Sequence, residues 1–205
     1  MTEIALNTAR DDGFAVEEKL GESLISGRMI KFSEGNFTID KIETLPPGTQ
    51  LIVMAMATVW VHWDGGKPVE QRITRAGESH PDRGDLPDQD NSLWPPGLND
   101  KPEDPWKDTR YVHLIDPNTG SDYTFITDSI GGRRAVSDLK RQIANKRATF
   151  PEAFPIVTLV KSEMKTKFGR KLRPDFKVVG WHNAAQPKMR VVPPKAADMD
   201  DDIPF

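Results

Sequence analysis

The sequence predicts a mainly β domain with one helix, built as a small five-stranded barrel that carries a long insertion and a disordered acidic tail. Three observations lead there. The run from Gln50 to Trp63 is too continuously apolar for a surface hairpin, turn signals at Pro117-Asn118-Thr119-Gly120 and Phe168-Gly169 each separate two strand-like runs, and a single helical repeat stands between those two hairpins.

Each element has its own signal. Residues 1–27 are polar and weakly patterned, with Phe14, Val16, Leu20, Leu24 and Ile25 suited to one short surface helix. Arg28 to Phe32 and Asn36 to Ile42 read as short strands around Glu34-Gly35, and Pro46-Pro47-Gly48 breaks the chain. Gln50 to Trp63 is the long central strand. Asp64-Gly65-Gly66 turns it, and Val69 to Arg75 can pair back.

Residues 76–108 change character, with nine acidic residues, three basic ones and six prolines among thirty-three positions. Such a long irregular segment is expected as a lid or partly disordered insertion. Leu93-Trp94-Pro95-Pro96 and Pro105-Trp106 provide its apolar anchors. Strands resume at Thr109 to Asp116 and Ser121 to Asp128. Val136, Leu139 and Ile143 then recur at helical spacing between Arg133 and Arg147, with Asp128 or Ser129 as cap. Ile156 to Lys165 and Leu172 to Trp181 form the second hairpin. The folded unit is therefore assigned to 28–182, and 183–205 to a flexible tether and tail.

Three strands, a helix and two strands is the element order of the OB-fold, a partly open barrel that binds oligonucleotides across its second and third strands and the adjoining loops. Other five-stranded barrels and α+β sheets share this order. A register setting His113 opposite Tyr123 and Tyr111 opposite Phe125 would gather four rings on one face, leaving Val112, Leu114 and Ile126 on the other. Stacking on such a platform contributes roughly 1 to 3 kcal/mol per base. Packing of Phe125 and one tyrosine inside the barrel is the competing reading. The second hairpin places Lys165, Lys167, Arg170, Lys171 and Arg173 around Phe168, which suits phosphate contacts with one stacked base, although a solvated basic loop has the same composition. Gly131-Gly132-Arg133-Arg134 at a helix start offers amides and cations to a phosphate, or is simply a turn. Trp60, Trp63 and Trp181 read as core or rim.

Composition bounds the function. The chain has 205 residues, 37% of them hydrophobic, enough for one core, and no cysteine for disulfides, thiolate zinc or a thiol nucleophile. No signal peptide and no apolar run of roughly 18 residues is present, so a cytoplasmic protein without a membrane partner is expected. The formal charge of -3 conceals an asymmetry: Gly131 to Arg190 holds fifteen Lys/Arg against four Asp/Glu. A basic body with a detached acidic tail fits a polyanion partner. The histidines His62, His80, His113 and His182 lack ligand or nucleophile-base spacing, and Asp82, Asp85, Asp88 and Asp90 lack a regular calcium pattern, so neither catalysis nor a metal or other cofactor is expected.

The last residues, Asp198-Met199-Asp200-Asp201-Asp202-Ile203-Pro204-Phe205, set four carboxylates before a short apolar plug. Phe205 suits a small apolar pocket of a partner, its carboxylate an arginine, and the aspartates a basic rim, while Pro204 lowers the ordering cost. A solvated acidic terminus accounts for the aspartates but gives Ile203, Pro204 and Phe205 no task. Asp-Asp-Asp-Ile-Pro-Phe resembles the tip of bacterial-type single-stranded DNA-binding proteins, and the likeness is confined to this tail. A phage-type or divergent member is the closer comparison, because the body is long and lacks a Gly/Gln-rich linker. The resemblance implies a role in DNA replication, recombination or repair, with the tip docking onto processing enzymes. Two alternatives stay open: an adaptor or decoy that captures repair proteins without binding DNA, and a metal-dependent nuclease. A homo-oligomer is compatible with the sequence.

Overall fold

The computed structural model describes residues 24–75, 77–97, 100–167 and 169–183. The expected N-terminal helix over most of its length, the ring of Phe168 and the 184–205 tether and tail lie outside the described residues.

The chain is mainly β with one helix, and its sheet is strongly curled into a half-barrel. In chain order the strands are β1 (Arg28–Ser33), β2 (Asn36–Ile39), β3 (Glu43–Thr44), β4 (Gln50–Asp64), β5 (Lys67–Ile73), β6 (Trp106–Ile115), β7 (Asp122–Thr127), β8 (Ala153–Thr166) and β9 (Gly169–Asn183), with helix α1 (Ile130–Arg147) between β7 and β8. Neighbours run β3-β2-β1-β7-β6-β4-β8-β9, and β5 adds to β4. The five strands expected to form the barrel are therefore consecutive neighbours, in the order β7-β6-β4-β8-β9.

β4 is the central strand that its apolar run predicts. One edge of it pairs with β6 from Ile52 to His62. The other edge is shared: Gln50 to Ile52 pair with β8, and Val59 to Asp64 pair with β5. The two partners diverge from β4 around Met56 and Thr58, which leaves a fork in the sheet. A bulge between Val53 and Ala55 adds local twist there.

A closed barrel would need β9 to reach the outer edge of β7. That edge is taken by β1, which pairs with it in parallel from Arg28↔Tyr123 to Ile30↔Phe125. The β1–β2 hairpin folds over the opening, so that Phe37 packs against Phe125 and Phe176, with ring centroids 6.0 and 6.1 Å away. Helix α1 plugs what remains. Its Ala135, Val136, Leu139 and Ile143 are buried with Val53, Val112, Leu114, Val157 and Leu159, and Ser129 caps its first turn by accepting from the Gly132 amide at 3.1 Å. Gln142 finishes the exposed edge of β9, donating to Phe176 O at 3.0 Å and accepting from Val178 N at 3.2 Å. One side-chain amide thus stands in for a missing strand.

Candidate nucleic-acid interface

The first hairpin differs from the expected register by one residue. Leu114 faces Tyr123, Val112 faces Phe125, His113 faces Thr124 and Tyr111 faces Ile126. The cause is the loop. Asp116 N bonds Ser121 O at 3.0 Å, Gly120 N bonds Asp116 O at 2.8 Å with Gly120 at φ 72°, and Asp116 Oδ1 accepts from Asn118 N. An even four-residue connection, 117–120, closes the hairpin, whereas the expected pairing needs an odd one. Because side chains alternate with period two, one residue of slip moves a whole set across the sheet.

The four-ring platform is consequently absent. Phe125 is fully buried at the centre of the core, 5.2 Å from the Phe176 ring, and Tyr123 packs against the same core. Tyr111 and His113 lie on the opposite face. Tyr111 is buried there with Val59 and Val61, under Leu24 and Ile73, and burial raises its hydroxyl pKa. His113 Nε2 sits 3.4 Å from the Asp122 carboxylate. An apolar patch and a carboxylate now stand where stacked bases were expected.

The basic residues hold together better. In the β8–β9 hairpin Lys165 pairs with Arg170, Met164 with Lys171 and Ser162 with Arg173, so Lys171 and Arg173 share one face and Lys165 and Arg170 the other. Lys167 is exposed beside the turn. Arg170 reaches Glu163 at 3.0 Å across a well-solvated surface, a pair of little energetic weight. On the Arg173 face, α1 comes alongside. Both Arg173 Nη atoms lie 3.2 Å from Asp138 Oδ2, and Arg134 Nη1 is 3.6 Å from Met164 Sδ. Arg134, Asp138, Arg141, Glu163 and Arg173 with Met164 line an open cleft of about 460 Å³. The fold thereby joins the helix start to the hairpin that the sequence reading treated separately.

Gly131 and Gly132 contribute packing rather than a phosphate cradle. Both are buried, and a Cβ at Gly132 would stand 1.9 Å from Thr127 Oγ1. Their neighbour Arg133 turns toward β6. Its Nη1 lies 2.6 Å from Asp108 Oδ2, and Arg110 bonds the same carboxylate, which also takes His80 Nε2 at 3.0 Å. Burial alone would raise the Asp108 pKa, but the bonds and charges of Arg110, Arg133 and His80 outweigh it and hold it below the usual carboxylate range.

Residues between β5 and β6 are anchored at several points. Trp60 stacks on His80 at 5.4 Å and donates to Pro81 O, while Trp60, Leu86 and Trp106 form a small buried cluster. Arg83 bridges to Asp104 at 2.6 Å and donates to Pro87 O and Asp88 O. The aspartates of this segment bind their own chain: Asp85 takes the Asp82 amide, Asp90 takes Ser92, and Asp88 takes Trp106 Nε1. Of the other tryptophans, Trp63 is 37% exposed and Trp181 stacks on Phe150 at 5.1 Å.

Sequence reasoning missed Arg75, Arg110, Lys140 and Arg147 as members of this basic side. The signal for α1 was available, since basic residues alternate with its apolar positions. Nothing in the sequence said that β5 and β6 would bring Arg75 and Arg110 beside them. No family model, no curated protein and no solved structure matches the chain.

Proposed function

We propose that the protein binds single-stranded DNA without catalysing a reaction, and that its acidic tail recruits replication, recombination or repair enzymes to the covered DNA. The observation that carries this reading is the separation of charge within one chain. Cations from α1 and the β8–β9 hairpin converge on one side of the body, while the sequence ends in Asp-Asp-Asp-Ile-Pro-Phe. The strand order β7-β6-β4-β8-β9 with α1 between β7 and β8 supports an OB-like assignment, and that fold commonly carries oligonucleotide sites.

Affinity in this reading comes from phosphate neutralisation more than from ring stacking, because Phe125 and Tyr111 are buried. With three to five phosphates neutralised, log affinity against log salt should fall with a slope of about -2 to -3.5, at roughly 0.7 per contact on a single strand. The test is a titration of labelled oligo-dT by the full-length chain and by a form lacking Phe205. Deletion is expected to leave DNA affinity intact or raised, and to abolish capture of enzymes that read such tails. A wild-type protein that ignores oligo-dT in dilute buffer yet still captures those enzymes is an adaptor, and the DNA-binding reading falls.

A further inference from the structure

The fork in β4 is where helix, sheet and insertion meet, and it is not empty surface. Ile130, Arg133, Ser137, Lys140, Ala144 and Arg147 follow one another at alternating three- and four-residue steps, so they form a single stripe along α1, about 26 Å from end to end at 1.5 Å per residue. Along the first half of the stripe runs a cleft that also includes Arg110 and Asp108. Along the second half runs another, about 480 Å³ in volume, walled by Met56 and Thr58 at the fork and by Thr74, Arg75, Glu78 and His80 beyond β5.

Its charges are not balanced from within. In the first cleft two guanidiniums, Arg110 and Arg133, share the one Asp108 carboxylate. In the second, Lys140 folds its ammonium inward to the Thr58 hydroxyl at 3.0 Å, which is its sole partner among the described residues. An ammonium has three donors, and a hydroxyl serves one of them. Lys140 is exposed as a residue, and partial burial of its ammonium, then the nearby Arg110 charge, lowers its pKa. Glu78 spends one carboxylate oxygen on the Arg75 amide at 3.2 Å, at the outer wall.

We infer that this second cleft is a phosphate subsite, in which Lys140, with Arg75 and Arg147 at its rim and the Thr58 hydroxyl within it, holds a phosphodiester of the bound single-stranded DNA. The inference rests on the proposed DNA binding and deepens it, because it moves the path of the nucleic acid. The phosphates run from the Arg134–Arg173 cleft along the α1 stripe to the fork in β4, instead of across the β6–β7 face.

The experiment measures fluorescence anisotropy of labelled oligo-dT over a range of salt for four full-length proteins: wild type, Lys140→Gln, Lys140→Arg, and Lys67→Gln, which removes the same charge from the exposed start of β5. Lys140→Gln should flatten the log-log salt slope by about 0.7, one phosphate contact, and weaken binding several-fold in dilute buffer. Lys140→Arg and Lys67→Gln should retain the wild-type slope. Identical slopes for Lys140→Gln, Lys67→Gln and a wild type that binds would overturn the subsite and leave DNA binding standing. A wild type that does not bind overturns both. Thymidine monophosphate is the remaining arm: should it displace oligo-dT from wild type at concentrations without effect on Lys140→Gln, the cleft is a mononucleotide site and the proposed path is wrong.

Discussion

Neutral His80 satisfies both of its polar neighbours. Asp108 can only accept, so Nε2 carries the proton, and Nδ1 then accepts from the Thr74 hydroxyl at 2.7 Å. Burial lowers the His80 pKa, with Arg110 and Lys140 adding to it and Asp108 opposing it. A histidine depressed in the folded state stabilises fully above its unfolded value, near 6.5, and that contribution is lost as pH falls below it. Asp108 has the other window, since a depressed carboxylate loses its contribution only below about pH 4. The urea midpoint should therefore drop between pH 7.5 and 5.5, and His80→Gln should flatten that step. An unchanged step in the variant would assign it to another group. Phe125 gives the second residue-scale prediction. With its ring in the core, Phe125→Ala should cost about 3 to 5 kcal/mol in urea unfolding. A loss under about 1 kcal/mol with a selective drop in DNA affinity would return Phe125 to the binding surface.

At the scale of elements, α1 does two jobs with different faces. Ala135, Val136, Leu139 and Ile143 fill the half-barrel, while Gln142 completes the β9 edge. Gln142→Ala leaves Phe176 O and Val178 N without their partner, and should cost about 1 to 3 kcal/mol where those groups stay shielded from water. Hydrogen exchange at the Val178 amide should accelerate in the variant well beyond that at Leu159, which bonds Thr49 O within the sheet. Equal acceleration at both would mean global loosening, and the edge role would fail. The helix was legible because three apolar positions at helical spacing, a serine cap and two small residues coincide. The β6–β7 pairing was not. Both strands were evident, yet their relative register depended on how Asp116 and Gly120 fold the connection.

For the whole molecule, the distribution of charge matters more than its total of -3. The two clefts along α1 and the cleft against β8–β9 draw cations from the segment after β5 and from β6, α1 and β9, positions separated by up to about a hundred residues. Screening weakens such a surface as ionic strength rises, so DNA affinity should fall with added salt.

Strand and helix content, the central position of β4, the two tight hairpins and the basic bias of residues 131–190 were all determined by the sequence itself, through local signals: apolar periodicity, turn residues and composition. Two features were decided only in three dimensions. β1 took the edge of β7 and kept the half-barrel from closing on β9. The fork between β5 and β8 admitted Lys140 to a cleft whose one carboxylate, Glu78, is engaged at the outer wall. Each depends on which segments meet across long sequence separation, and pairing of that kind is set by packing and edge satisfaction over the whole sheet, which no local window of residues encodes.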